Sequence, residues 1–367
     1  MNARERILSC IRHDPIDRVP ISTYELVGWN EKSWENSEPS YRRLMDAIRE
    51  YTDCIYMSYP ETVERQDDSL EVREWDEGDR HFTEKVFHTP RGDLTALYRT
   101  DRGIYTTWTL KHPLRDISDI DRYLSMHYES PEIRMDVFDR DREALGDRGV
   151  MMISVGDPIC EGAELYEMGD FLVHAMTEPK KIKFFLDAIH ERQMSELTQI
   201  LKHDVTDVLF RICGPEYATP PYLSPSYFYE YVTCYLIEIC REIKAAGGIP
   251  RIHSHGKIAQ VVDQFCLTEA VAIDPVEPPP DGDIALSDFK RLYGDRFCIF
   301  GNLELKELEH ADRNRIDRLV RDAMEAAKAG GGFVLMPTSA PINTPLSPKT
   351  EENYLQMIES ALKYGGY

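Results

Sequence analysis

The sequence predicts an α/β chain folded as a (β/α)8 TIM barrel, with an N-terminal helical extension and a β-hairpin excursion near the barrel mouth. Three observations lead there. Eight short β-rich runs recur along the 367 residues, most of them ending in Gly, Pro or acidic residues. Amphipathic helical stretches follow them, the alternation that builds parallel sheets. No GxGxxG turn follows any of the runs, which removes the dinucleotide-binding form of a doubly wound sheet.

The elements follow in order. "MNARERILSCIRHDP" reads as a charged opening helix, and "RVPIST" (18–23) as the first strand. "PSYRRLMDAIREY" (39–51) is a helix leading into "DCIYMSYP" (53–60). Residues 63–115 break the rhythm: they are rich in charge, Thr, Tyr and Trp, with turns at Arg91-Gly92 and Asp101-Arg102-Gly103. That pattern predicts antiparallel hairpins leaving the barrel. The alternation resumes with "GVMMISVGDP" (149–158), a long helix over 178–203, and "DVLFRICGP" (207–215). A helix over 224–247 precedes "IPRIHSHG" (249–256), and "AVAIDPVEP" (270–278) and "RFCIFGNLE" (296–304) come next. A helix over 312–330 and "GGFVLMPTSAP" (331–341) complete the set. With no long linker or low-complexity tract, 1–367 reads as a single barrel.

Composition narrows the function. The chain is 42% hydrophobic and 10% aromatic, enough for a full core. Its 65 acidic and 43 basic side chains leave a net charge of −22, which repels phosphate backbones and anionic membranes. Neither nucleic acid nor a membrane is expected as a partner. The eight cysteines form no CxxC pair, and no apolar run is long enough to span a bilayer. A reduced, cytoplasmic protein is expected. GxSxG, P-loop and HExxH motifs are all absent.

In such a barrel the reacting groups sit at the carboxyl ends of the strands. Those ends carry Tyr24, Glu25, Tyr59, Glu61, Asp157, Cys160, Glu161, Cys213, Glu216 and Tyr217. The later ones add His253, His255, Asp274, Glu277, Asn302, Glu304, Thr338 and Ser339. His253 and His255 stand two apart on one strand, so both leave the same face together with Arg251, toward the interior. Two imidazoles so placed suit a divalent metal, an acid/base pair, or plain hydrogen bonding to loops and water. Zinc would need a further ligand, and Glu216, Cys213, Glu277 and Asp274 are the candidates. Arg211 shares the inward face with Cys213, and Glu216 beside Tyr217 suits either a ligand or a general base.

Several stretches together resemble the uroporphyrinogen decarboxylase superfamily. They are "RERILSCIRHDPIDRVPIS", "TPRGDL…TTWTLKHPLRDISDI", "LSPSYFYEYVTCYLIEICREIKAAGG", "RLYGDRFCIFGNLE" and "GGGFVLMPTSAPINTPLSP", which run through nearly the full length. The second is typical of the cobalamin-dependent methyltransferase-like branch. The decarboxylase itself carries an Arg-rich segment after its first strand, where this chain reads "STYELVGWNEK" without arginine. A polycarboxylate tetrapyrrole should therefore bind poorly. The methyltransferase branch holds zinc on a His-x-Cys pair and a final Cys. By position His253 matches that His, His255 stands at the first Cys, and Ser339 stands near the last. The resemblance thus implies a harder ligand set of His253, His255 and Glu216, suited to an O- or N-methyl donor rather than a thiol.

The leading expectation is a methyltransferase moving a methyl group between a small substrate and the cobalamin of a partner corrinoid protein. Glu216, His253 and His255 would be catalytic and would hold zinc or another divalent metal. Tyr24, Glu25, Asp157, Tyr217, Asn302 and Ser339 would bind substrate. No DxHxxG-type cobalamin motif is present, so the cobalamin should arrive on the partner, and a homodimer is compatible with this reading. The alternatives are a metal-free decarboxylase or lyase, with Arg251 or Arg211 holding a carboxylate, and a barrel that binds a ligand without turnover.

Overall fold

The computed structural model describes residues 1–63 and 69–367. Seven parallel strands pair in sequence order: Cys54–Met57, Gly149–Gly156, Leu209–Cys213, Ile249–Ser254, Ala272–Pro275, Cys298–Leu303 and Phe333–Pro337. All seven fall within the runs expected as strands. The eighth run, 18–23, differs. It forms one parallel bridge, Ile21 to Leu335, with hydrogen bonds from Ser22 N–H to Leu335 O (2.9 Å) and Leu335 N–H to Pro20 O (3.0 Å). Asp53 N–H donates to Ile21 O on the other side (2.7 Å), so residues 20–22 sit between the first and last strands and complete the TIM-barrel circuit. The run is cut short because Pro20 has no N–H and Tyr24 turns the chain at φ +57°.

Helices cover the outside of the barrel for a sequence-legible reason. Pro179–Ile200 buries Ile182, Phe185, Leu186, Ile189, Leu197 and Ile200, one stripe at helical spacing. Each such side chain contributes about 1.5–3 kcal/mol of burial. The expected helix over 224–247 is divided into Pro225–Phe228, a π-helical turn at Tyr229–Thr233, and Cys234–Ala245. The opening helix, Ala3–Ile11, starts on a capping box between Asn2 and Glu5. Its Arg6 joins Arg18 on the buried Asp53 carboxylate (2.6 and 2.7 Å), which ties the extension to the barrel.

The excursion is a four-stranded antiparallel sheet, Leu70–Glu77, Arg80–Phe87, Leu94–Asp101 and Ile104–Lys111. Both expected turns are present, with Gly92 at φ +107° and Gly103 at φ +82°, and Gly78 makes a third. The start of this segment, 64–68, lies outside the described residues. The sheet meets the barrel at the loop after the last strand: Tyr105 N–H donates to Ile342 O (2.8 Å), and Trp34 stacks on Tyr105 at 3.8 Å. It therefore stands at the rim of the mouth. Among the described residues no helix is long and apolar enough to cross a membrane.

Candidate functional site

Three adjacent strands carry the interior polar cluster. Arg211 and Cys213 come from Leu209–Cys213, and Arg251 and His253 from Ile249–Ser254. Asp274 comes from Ala272–Pro275, in register with His253. Asp274 is fully buried and answers two partners, Arg251 Nε at 2.9 Å and His253 Nδ1 at 2.7 Å. Burial alone would raise its carboxyl, but the Arg251 charge, the His253 hydrogen bond and Arg211 outweigh it and hold it well below the usual range. On its other side, His253 Nε2 lies 3.1 Å from Arg211 Nη2. A guanidinium only donates, so Nε2 accepts and the ring proton sits on Nδ1 facing Asp274. Burial, with Arg211 and His255 adding to it against Asp274, lowers His253 to about 4. It is a neutral imidazole.

Arg211 is the hub of this layer. Besides His253 it donates to Tyr24 Oη and, through Nη1, to Glu25 at 3.1 Å. Burial raises the Tyr24 phenol, so it stays protonated, and its left-handed backbone turns the ring inward over the guanidinium (5.0 Å). Arg251 is enclosed, 1% exposed, and stacked 4.8 Å over Phe300. That corrects the expectation that Arg251 could hold a substrate carboxylate: its partner is Asp274, and no substrate reaches it in this arrangement.

A second layer lies at the strand ends. His255 Nδ1 is 2.8 Å from Glu277 Oε1, and the other Glu277 oxygen accepts from Gly256 N–H at 2.6 Å. Glu277 is aimed by Val276, a β-branched residue held at φ +49°, whose carbonyl accepts from Asn302 Nδ2 at 2.9 Å. Burial works against the charge on His255, but Glu277, Glu216 and Asp274 together raise it. Glu216 moves the other way from a surface acid: burial raises it, although His255 and Arg211 oppose the shift. Both face a cavity of about 550 Å³, lined also by Tyr217, Thr219, Lys257 and Asp281, a size that suits a small molecule. Gly214 makes this corner fit: at φ +130°, any Cβ there would come within 2.0 Å of Asp157 Oδ1.

The structure thus gathers His253, His255, Glu216, Tyr217, Tyr24 and Glu25 around the mouth. The other three expected substrate residues have different surroundings. Asp157 is fully buried and caps the helix Pro158–Glu164, accepting from Cys160 N–H at 2.9 Å. Asn302 lines a different cavity, of about 400 Å³, with Glu304 and Lys306. Ser339 follows the last strand and its carbonyl accepts from Tyr354 Oη at 3.5 Å. What the sequence did not reveal is pairing: Arg211 with His253, and Glu277 with His255.

A metal held by His253, His255 and Glu216 does not fit this arrangement. Both nitrogens of His253 are engaged, and a cation at Nε2 would lie against the Arg211 charge. Among the described residues no group of three or more His, Cys, Asp or Glu side chains is placed to hold an ion. In this arrangement the three side chains stand as a neutral histidine in a hydrogen-bonded row, an ion-paired histidine and an acid on the same cavity as the second histidine.

Comparison with known proteins sets this geometry in context. No curated protein matches the chain. Among solved structures, a methyltransferase from Methanosarcina mazei is similar over 99% of both chains, at 13% identity and a TM-score of 0.60, which shows a shared fold. A Bacteroidetes-affiliated GH5 cellulase linked with a polysaccharide utilization locus covers 64% of this chain and 77% of its own. Its 14% identity and TM-score of 0.38 carry no argument. The model of the family described as Uroporphyrinogen decarboxylase (URO-D) matches residues 105–361, more than half of the sequence, and the chain belongs to that family.

Proposed function

We propose that the chain is a methyltransferase that passes a methyl group from a small O- or N-methyl compound to the corrinoid of a partner protein. In this reading the chain's own part is proton delivery. The observation that carries it is the pair of Glu216 and His255 on one small cavity at the barrel mouth.

Breaking a methyl–oxygen or methyl–nitrogen bond leaves the electron pair on the heteroatom, so that atom needs a proton or a Lewis acid as the bond opens. Glu216, whose carboxyl burial raises above the usual range, is the group placed to donate that proton to the leaving oxygen or nitrogen. His255, fixed by Glu277 and raised by the neighbouring carboxylates, lines the same cavity and in its protonated form stabilises the carboxylate that forms. The reduced corrinoid, a substrate carried by another protein, supplies the electron pair for the new bond to carbon. Beneath them Asp274, His253 and Arg211 form a packed polar row that holds the strand ends in register. Family membership and the fold shared with the Methanosarcina mazei methyltransferase support the reaction class.

The test is direct. Purified protein is mixed with chemically reduced cobalamin, standing in for the partner, and a panel of methyl ethers and methylamines. Donor-dependent methylation of the cobalamin supports the reading. No methylation with any donor, beside conversion of uroporphyrinogen to coproporphyrinogen, would replace it with the decarboxylase alternative.

A further inference from the structure

Arg211 is built like a binding residue whose ligand is being imitated. It is 8% exposed, and its Nε, also buried, has no hydrogen-bond partner among the described residues. Its Nη2 is committed inward, to Tyr24 Oη and His253 Nε2. Only Nη1 turns toward the mouth, and there it meets the Glu25 carboxylate at 3.1 Å, whose side chain is 42% exposed. A buried guanidinium is thus neutralised by one half-exposed acid on a loop.

The charges around it reinforce the point. Arg251 and Asp274 cancel at 2.9 Å, His253 accepts from Arg211 and so carries no charge, and Tyr24 is a neutral phenol. If Glu25 swings out to water, a single buried positive charge is left at the mouth. Its Nη1 donors are then free for one carboxylate, matched in charge and in hydrogen-bonding chemistry.

We propose that Arg211 is the recognition site for a carboxylate on the substrate, and that Glu25 occupies it until the substrate displaces it. This deepens the methyl-transfer reading by naming the donor class: small methyl compounds bearing one carboxylate, anchored at Arg211 with the methyl group reaching toward Glu216. Tyr59, 56% exposed just past the strand Cys54–Met57, lies near Glu25 and Arg211, and Met57 Sδ is 3.9 Å from Nη1.

The experiment is calorimetric titration of the full chain with methoxyacetate, 3-methoxypropionate and 4-methoxybutyrate, each against its neutral primary amide. At least one acid should bind about tenfold tighter than its amide, the worth of one good charge-assisted contact. Glu25→Gln should tighten binding of the acid several-fold and leave the amide unchanged, since it removes the competitor alone. Arg211→Lys, which keeps the charge but loses the contacts to Tyr24 and His253 that aim it, should weaken the acid about tenfold. The two variants should move acid binding in opposite directions, which a general loss of fold cannot do, and melting temperatures confirm that each is folded. Equal binding of acids and amides, no binding of either series, or a Glu25→Gln variant that binds the acid no better would overturn the proposal. Failure of the parent reading looks different: acids bind as expected, yet no donor methylates cobalamin. Conversely, methylation from neutral donors alone leaves methyl transfer standing and removes the carboxylate site.

Discussion

Arg211 Nη2 lies 3.1 Å from His253 Nε2, so a guanidinium stands where the family resemblance would place a metal ion. This contact determines the tautomer of His253, makes Asp274 the acceptor on its far side, and moves the chemistry outward to Glu216 and His255.

Metal removal should therefore change little. Dialysis against a chelator is expected to leave melting temperature and methyl-transfer rate unaltered, and the purified chain should hold far less than one zinc. One tightly bound zinc per chain, lost together with activity, would show that Arg211 yields its place to an ion.

Asp274→Asn tests the buried row. The substitution leaves Arg251 as an unpaired charge that is 1% exposed, and removes the acceptor that holds the His253 proton on Nδ1. Breaking a buried pair by removing one partner costs about 3–5 kcal/mol. Urea unfolding should show a loss of that order, and a loss below about 1 kcal/mol would mean that the row contributes little.

Acid should destabilise the protein in a defined window. His253 titrates near 4 when folded and about 6.5 when unfolded, so between these values the unfolded chain binds the extra proton. Its contribution is complete above about 6.5 and is lost as pH falls through the folded value, on the order of 3 kcal/mol in total. Asp274, held low, extends the loss below the usual carboxylate range. His255, raised, acts in the opposite sense, and its smaller contribution fades as pH rises past its folded value. Urea midpoints at a series of pH values should fall from neutrality toward 4, with a shallower fall in His253→Gln.

Gly214→Ala couples stability and activity. A Cβ at φ +130° meets Asp157 Oδ1 at 2.0 Å and Cys160 Cβ at 2.6 Å, so the turn that carries Glu216 must shift. A cost above about 2 kcal/mol is expected, from backbone and packing together. A variant with wild-type stability and rate would show that the turn tolerates a side chain.

Much of this site was legible in the sequence. Seven of the eight strands follow from runs bounded by Gly, Pro and acids, and period-2 parity correctly turned Arg211, Arg251 and His253 inward. Parity cannot say how far a long side chain reaches, which is why the bond from Arg211 to His253 was not foreseen and a metal was expected instead. Backbone departures hid the rest. Val276 at φ +49° is not written in "AIDPVEP", yet it turns Glu277 onto His255. Asp157 sits one residue before a helix-starting Pro158, so its cap role was readable in principle. Asn302 follows Gly301 at φ +153° and faces a separate cavity, a departure no strand pattern records.

The central claim is that Glu216 delivers the proton. Its most direct test is the rate of methyl transfer to reduced cobalamin, followed across pH in the wild type and in Glu216→Gln. The account predicts a wild-type rate that is level in acid and falls as pH rises through the raised value of Glu216, because only the protonated acid donates. In Glu216→Gln the rate should drop by roughly 10²–10⁴-fold and lose that pH step. A variant that keeps the wild-type rate and profile would contradict it.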